Sequence, residues 1–232
     1  MDCTQSARTR QALPQHRQPT AVDVTVIGAG PAGALLAYLL AVRGLRVMLV
    51  EKARLPRVKP CGGGLNCKTV ALLPFAIDPV VERIVSHVVF TRNLRHPFTR
   101  TYPAPLVTMV TRGAFDHFLV QRAAAAGAQV YDNCQVTGLT EQPQNITVCT
   151  AGRTWRSRYV AFADGAKGTL RRQLGFTATA PHDIGLDLEV EARGACPWVP
   201  HTLYIDWGDW CTGCWLGNYA LCQTLRWSRS HL

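Results

Sequence analysis

The sequence lacks several features that mark particular classes of protein. It has no apolar run long enough to cross a bilayer, no secretory leader and no internal repeat. It also has no dense block of Lys and Arg with interleaved aromatic side chains, so we expect no nucleic acid among its partners. Acidic residues are few, because 15 Asp and Glu face 25 Lys and Arg, and the formal net charge is +10. The arginines are scattered, which indicates a solvated basic surface or, more specifically, attraction to anionic lipid headgroups or a phosphorylated substrate.

The nine cysteines do not form the pattern of a disulfide framework. Their number is odd and their spacing irregular, which together with the missing leader predicts a reducing, cytoplasmic compartment. Cys211 and Cys214 have the C-x-x-C spacing of redox and zinc sites. Since no second pair stands at metal-ligand spacing, we expect no metal site in this protein.

What the sequence does contain is a glycine fingerprint for nucleotide binding. A short apolar run breaks into Gly28, Gly30 and Gly33, with Pro31 and Ala32 between the last two, and a helix-like stretch follows. Gly28 permits a sharp turn, Gly30 lets a pyrophosphate approach the backbone, and Gly33 lets the helix pack closely on its strand. The first N–H groups of the helix would then face the phosphates. The simpler alternative is a tight turn that binds no ligand.

An acidic residue stands at the distance that this fingerprint requires. A second apolar run ends in Glu51, which is followed by Lys52, and both are candidate cofactor-binding residues. A carboxylate about 20 residues after the glycines suits ribose hydroxyls and repels a 2′-phosphate. The pattern therefore favours FAD or NAD over NADP as the tightly bound nucleotide.

A loop rich in Pro and Gly follows at 55–65. Its glycine content is too high for the interior of a strand or a helix. Consecutive glycines remove every side chain where the chain would pass a flat ligand, so Gly62 and Gly63 are further candidates for cofactor binding, together with Lys59 and Cys61 beside them. Cys61 is the one reactive side chain at that place.

The rest of the chain alternates between strand and helix patterns. Residues 1–20 are polar and Arg-rich and are predicted to be a disordered tail, although an organelle transit peptide has a similar composition. Pro97, Pro103 and Pro105 are predicted to mark the connection between the first two strands after the loop. We predict helices over 67–73, 112–126 and 170–172, and strands over 86–91, 106–110, 129–131, 136–140, 146–150, 156–161, 187–191 and 202–206.

Three motifs resemble those of a large flavoprotein group that includes the aromatic hydroxylases. They are the glycine fingerprint with its acid, the stretch Arg112–Asp116 that the group places beside the flavin nucleotide, and Asp164–Gly165, its second nucleotide motif. The resemblance implies FAD as the cofactor, with Arg112, Asp164 and Gly165 among its binding residues. It implies no particular reaction.

A further stretch is specific to one branch of that group. Residues 56–65 read P-R-V-K-P-C-G-G-G-L and resemble the P-R-x-K-x-C-G-G-G motif of the FAD-dependent geranylgeranyl reductases. This resemblance implies an oxidoreductase that reduces isolated C=C bonds of a geranylgeranyl chain, as in the phytyl tail of chlorophyll or in prenyl lipids. The hydroxylases do not share the motif, which disfavours the alternative, a FAD-dependent monooxygenase of the same fold.

The resemblance also implies the architecture. We expect an α/β protein with a Rossmann-like FAD-binding domain at 21–175, built on a βαβ unit and a mixed sheet. Strands near 86–110 would contribute to a substrate domain, whose antiparallel sheet begins at 176–209. Residues 210–232 match neither the family nor a regular period, so we expect an irregular tail in a chain that is truncated or frame-shifted there. A non-catalytic nucleotide-binding fragment is therefore another alternative.

The implied chemistry assigns roles to the remaining groups. FAD would supply a hydride, with NADPH, NADH or ferredoxin as its electron donor. Cys61 is the candidate catalytic residue, as thiol or thiolate, while a small filler residue in a glycine loop is the simpler alternative. The partner is a prenylated small molecule or lipid, which brings peripheral contact with a membrane. Several aromatic residues would line an isoprenoid channel or pack in the core: Trp198, Tyr204, Trp207, Trp210 and Trp215.

Overall fold

A computed structural model describes residues 21–93, 95–165, 168, 170–171, 174–175, 201–207 and 220–222. The chain divides into two units, each formed from two separate stretches of sequence. Unit 1 is Met1–Leu55 with Asp116–Ala178, and unit 2 is Pro56–Phe115 with Thr179–Leu232. The predicted strand at 187–191 and the predicted tail at 1–20 lie outside the described residues.

The described residues form short strands and three α-helices. The strands are β1 (Ala21–Ile27), β2 (Val47–Val50), β3 (Gly64–Asn66), β4 (Val81–Val85), β5 (His87–Arg92), β6 (Arg95–Thr101), β7 (Val107–Val110), β8 (Gln129–Tyr131), β9 (Val136–Gln142), β10 (Asn145–Thr150), β11 (Arg153–Phe162), β12 (Thr202–Trp207) and β13 (Ala220–Cys222). The helices are α1 (Pro31–Ala41), α2 (Cys67–Ala71) and α3 (Arg112–Ala125), with a 3-10 turn at Asp78–Val80. Leu170 and Arg171 are helical, as predicted.

Unit 1 is built on a six-stranded sheet in the order β8-β2-β1-β11-β10-β9. Strands β8, β2, β1 and β11 run parallel to one another, and β9, β10 and β11 form an antiparallel meander. Strands β1 and β2 read as nearly continuous apolar runs because they are buried on both faces. The predicted α/β fold with a mixed sheet is confirmed.

One cluster of the unit-1 core is formed by β1, β2 and the antiparallel strands. Strands β1 and β2 contribute Val22, Ile27, Met48 and Val50, which pack with Trp155 of β11. The Trp155 Nε1–H group donates a hydrogen bond of 2.9 Å to Thr25 Oγ1, and both residues are buried. The indole therefore contributes its apolar area to the core without leaving a buried donor unpaired.

An ion pair joins the beginnings of β1 and β2. Asp23 accepts hydrogen bonds from the Arg46 backbone N–H (2.9 Å) and from Arg46 Nη2 (2.9 Å). These hydrogen bonds lower the pKa of the Asp23 carboxyl to about 2. The contact orders the turn that leads from α1 into β2.

The described residues of unit 2 form two sheets. One has the order β3-β7-β4 and is antiparallel, and the other has the order β13-β12-β5-β6. In the second sheet the pairs β5–β6 and β12–β13 are antiparallel, as expected, whereas β12 runs parallel to β5. Strand β13 forms inside the stretch predicted to be irregular.

Two expectations for unit 2 were wrong. Pro97 lies inside β6 and not in a connection. It is tolerated because the β5–β6 register shifts between Phe90 and Arg92, which leaves Pro97 at an irregularity on an edge strand. Gly64 was assigned to a loop, but it opens strand β3 and pairs with Met109.

Among the described residues, no helix has the length and apolar character needed to span a membrane. The same part of the chain contains no cluster of His, Cys, Asp and Glu side chains suited to a metal ion.

Candidate functional site

The turn between β1 and α1 excludes side chains at two of the fingerprint glycines. Gly28 has φ +103°, and a Cβ there would collide with the backbone of Ala163. A Cβ on Gly33 would collide with the carbonyl of Gly28 and would stand 3.0 Å from the Ala163 Cβ. The helix therefore approaches its strand as closely as the fingerprint predicts.

The beginning of α1 presents backbone donors. Gly30 is the N-cap residue and supplies no side-chain acceptor, and Pro31 occupies the first turn, where its missing N–H costs nothing. Ala32 is exposed. Since the first-turn N–H groups of a helix have no partner inside it, a phosphate oxygen can accept from them here.

Glu51 is held against the glycine turn from the end of β2. It is 6% exposed, and its Oε2 accepts from the Ala29 N–H at 2.8 Å. Its Oε1 accepts from the Ala53 N–H at 3.0 Å. These two bonds fix the carboxylate, whose oxygens can each accept more than one hydrogen bond, so ribose hydroxyls can donate to the same group. Lys52 is exposed beside it.

Asp164 and Gly165 follow β11 at the same edge of the sheet. The Ala163 N–H donates to the Ile27 carbonyl at 2.8 Å, and a Cβ on Gly28 would stand 3.0 Å from the Asp164 Cα. Gly165 has φ +80°. The structure thus brings the glycine fingerprint, Glu51 and Asp164 together within unit 1.

Gly168 is a residue that the sequence analysis missed. A Cβ there would collide with the Asp164 carboxylate, and the Gly168 N–H donates to the Gly165 carbonyl at 3.1 Å. The Asp164 side chain therefore folds over a position that must stay empty. A glycine a few residues after the Asp-Gly pair was the available signal.

In unit 2, the Pro- and Gly-rich loop lies against the first turn of α3. The Arg57 carbonyl would stand 3.2 Å from a Cβ on Gly113. The Gly63 carbonyl accepts from the Val110 N–H at 2.9 Å, and Gly63 is buried with φ +69°. Both contacts involve backbone atoms of the loop. The backbone therefore fixes the path of the loop between them.

The chemistry-bearing residues of this loop differ in exposure. Cys61 and Gly62 are half-buried, and Lys59 is exposed. Arg112, the first residue of α3, is half-buried and belongs to the same unit. The loop predicted for 55–65 has irregular backbone over 55–63, and its last two residues lie in β3. The roles assigned to these four residues stay predictions.

Other candidates of the sequence analysis have less structural support. Cys211, Cys214, Trp198, Trp210 and Trp215 lie outside the described residues. Tyr204 and Trp207 lie on β12, and their roles stay predictions.

His117 on α3 is a titratable group that no sequence pattern indicated. Burial lowers the pKa of its imidazole, and the negative charge of Asp132 opposes that shift. Asp132 in turn accepts from the Leu55 N–H at 2.8 Å. The neutral ring is therefore favoured beside the segment that follows Glu51.

The comparisons with known proteins identify the fold and the cofactor. Residues 21–205 match the FAD binding domain family. The chain belongs to this family. FAD is therefore the nucleotide that the fingerprint and Glu51 indicate, and the similarity to geranylgeranyl reductases is confirmed by the relatives described next.

The relatives of this FAD binding domain carry different activities. A digeranylgeranylglycerophospholipid reductase from Methanococcus vannielii is 28% identical over 69% of this chain and 42% of that protein. A rifampicin monooxygenase from Streptomyces venezuelae is 30% identical over 66% of this chain and 34% of that protein. A geranylgeranyl bacteriochlorophyll reductase-like structure from Thermoplasma acidophilum has a TM-score of 0.66 and 21% identity, covering 82% of this chain and 51% of that one. The chain thus spans about a third to a half of the length of the proteins that it matches.

Proposed function

We propose that this protein is a FAD-dependent reductase that saturates isolated C=C bonds in a geranylgeranyl chain carried by a pigment or a prenyl lipid. The observation that carries the proposal is the loop 56–65, where Cys61 precedes consecutive glycines in a backbone path held against the first turn of α3. This sequence resembles the prenyl reductases and not the hydroxylases. The reductase relatives support the same assignment.

The residues of unit 1 fit FAD. Gly28 and Gly33, where no side chain fits, let α1 begin close to the strand, and the first α1 N–H groups would donate hydrogen bonds to a pyrophosphate. Glu51 would bind the adenosine ribose, and Asp164 would bind the part of FAD that lies beyond the adenosine. FAD, when bound, supplies the hydride for the reduction, with NADPH, NADH or ferredoxin as the electron donor.

The protein must supply the second hydrogen. An isolated alkene takes a hydride at one carbon and a proton at the other, which together convert C=C into CH–CH. We assign the proton to the Cys61 Sγ–H group, which solvent then reprotonates. The glycines beside Cys61 carry no side chains, so an apolar chain can lie against that backbone.

The second candidate function is a FAD-dependent monooxygenase, favoured by the relative that is a rifampicin monooxygenase. The two functions differ in their need for oxygen. We would load the protein with FAD, reduce it anaerobically with dithionite, and add geranylgeranyl diphosphate or a geranylgeranylated pigment. Mass spectrometry showing products heavier by hydrogen pairs without oxygen supports the reductase. Turnover that requires oxygen supports the monooxygenase, and bound FAD without any turnover supports a non-catalytic nucleotide-binding role.

Cys61→Ala tests the proton donor. Loss of a general acid typically lowers a rate by about 10²–10⁴-fold, and we expect a loss of that order with unchanged FAD content. Cys67→Ala is the matched control, because Cys67 is exposed at the start of α2. Equal rates for Cys61→Ala and Cys67→Ala would remove the catalytic role and leave Cys61 as a filler residue.

A further inference from the structure

The hairpin of β5 and β6 carries charge of only one sign. Residues 86–102 contain three arginines and two histidines and no Asp or Glu. The acid-free stretch extends from Arg83 to Phe115. The positive charge of the whole chain is scattered, but here it is concentrated on one supersecondary element.

The geometry of the hairpin presents this charge to the surroundings. Among the described strands of its sheet, β6 lies at the edge, and all seven of its residues are exposed. The register places Arg92 opposite Arg95 at the end of the hairpin. The pairing brings two basic residues to the same end of the hairpin, where an anionic partner can accept hydrogen bonds from Arg95.

Aromatic side chains stand among these arginines. The Phe98 ring is 53% exposed and stacks on Phe90 with ring centroids 5.0 Å apart. The Arg100 guanidinium lies 5.7 Å from the centre of the Phe98 ring. Tyr102, directly after β6, is 40% exposed. Charged residues and Pro97 would be enough to keep this edge strand from pairing with other chains. An exposed aromatic ring favours such association, so protection of the edge does not explain its presence here.

We propose that the β5–β6 hairpin docks on an anionic phospholipid membrane surface. The guanidinium groups of Arg95 and Arg100 bind headgroup phosphates, which guanidinium groups recognise through paired N–H donors. The Phe98 ring enters the boundary between headgroups and acyl chains, where aromatic side chains are favoured. Because flavin and substrate take no part in this contact, the docking is independent of the function proposed above.

The test measures binding of the full chain to sedimented vesicles, without substrate. Vesicles of phosphatidylcholine with phosphatidylserine should bind the protein, pure phosphatidylcholine vesicles should bind it weakly, and rising salt should release it. The double variant Arg95→Gln, Arg100→Gln should bind about 30-fold more weakly, which corresponds to about 1 kcal/mol per arginine. Phe98→Ser should weaken the binding that survives at high salt.

The control variant removes the same amount of positive charge from unit 1. Arg156 and Arg158 are exposed on β11, so Arg156→Gln, Arg158→Gln removes two positive charges outside the hairpin. Unchanged melting temperatures confirm that each variant is folded. Equal losses for the two double variants overturn the proposal, since binding would then follow net charge alone. Tighter binding to duplex DNA or single-stranded RNA than to the anionic vesicles also overturns it.

Discussion

At the scale of single residues, the buried pair Trp155 and Thr25 illustrates how the unit-1 core accommodates a polar atom. The residues stand on neighbouring strands of the sheet, and the indole N–H finds its acceptor in a threonine hydroxyl. Neither residue is part of a nucleotide motif. The contact therefore contributes to stability and to the exact packing of β1 against β11, from which the glycine turn emerges.

Thr25→Val removes the acceptor and keeps the side-chain shape. The Trp155 N–H is then buried without a partner, which typically costs about 1–3 kcal/mol. Urea unfolding followed by tryptophan fluorescence measures the change in the free energy of unfolding. Thr25→Ser retains the hydroxyl and is the control for the hydrogen bond. Adding Trp155→Phe to Thr25→Val removes both partners of the hydrogen bond. If the loss in the free energy of unfolding of this double variant equals the sum of the two single losses, the hydrogen bond contributes nothing.

At the scale of secondary-structure elements, the contact of α1 with β1 determines the nucleotide turn. The helix can reach this position only because Gly33 has no side chain. A methyl group there pushes the first turn of α1 away from Gly28. The N–H groups that would receive the pyrophosphate move with it.

Gly33→Ala should therefore abolish flavin retention and lower the melting temperature. Gly138→Ala is the matched control, because a Cβ on Gly138 of β9 meets nothing within 4 Å. We expect that control to change stability by no more than about 0.5 kcal/mol. The measurements are flavin absorbance per protein after gel filtration and thermal unfolding. If Gly33→Ala keeps its flavin, the close approach of α1 is not required for binding.

Elements with strong local signals were predictable from sequence. The β1–α1–β2 unit follows from an apolar run, a glycine turn and a helix-like stretch, and α3 follows from apolar residues at helical spacing that end before Gly127. Strands β4 and β6 were missed. Most of their residues are exposed or charged and lack alternation, so pairing decides their structure. Strand β4 pairs with the more distant β7 and β6 pairs with β5 of its own hairpin, and the apolar pattern of the local sequence does not record this pairing.

The candidate site was predictable in the same uneven way. Gly28, Gly33 and Glu51 could be named because their roles follow from backbone geometry at a fixed spacing. Gly168 was missed although a glycine after the Asp-Gly pair was a signal, since its importance comes from the Asp164 side chain that folds over it. His117 was also missed, because burial and the charge of Asp132 define its state and both arise only in the folded chain.

At the scale of the whole molecule, the predicted cofactor residues divide between the two units. Gly28, Gly30, Gly33 and Glu51 belong to unit 1, and Cys61 with its loop belongs to unit 2. The adenosine half of FAD should therefore bind to unit 1 with or without a flavin ring. Nucleotide fragments can separate these contributions.

ADP and FAD should both raise the melting temperature, and FMN should not. FMN lacks the adenosine ribose that Glu51 would bind and the pyrophosphate that the α1 turn would bind. A ligand at 100 times its Kd stabilises a protein by about 2.7 kcal/mol, which a thermal shift resolves easily. Glu51→Gln should reduce the shift with ADP and with FAD alike. Stabilisation by FMN equal to that by ADP would contradict the placement of the adenosine site in unit 1.

The interrupted order of the unit-1 sheet has a consequence for biosynthesis. Strand β1 lies inside the sheet, between β2 and β11. Its neighbour β11 is far away in sequence, because Ala21 pairs with Arg156. At roughly 5–20 residues per second, the ribosome delivers that neighbour about 7–27 s after β1. During this interval the apolar edge of β1 is unpaired, and pairings between distant strands are also slow to form. Chaperones that shield nascent strands should therefore raise the yield of folded protein.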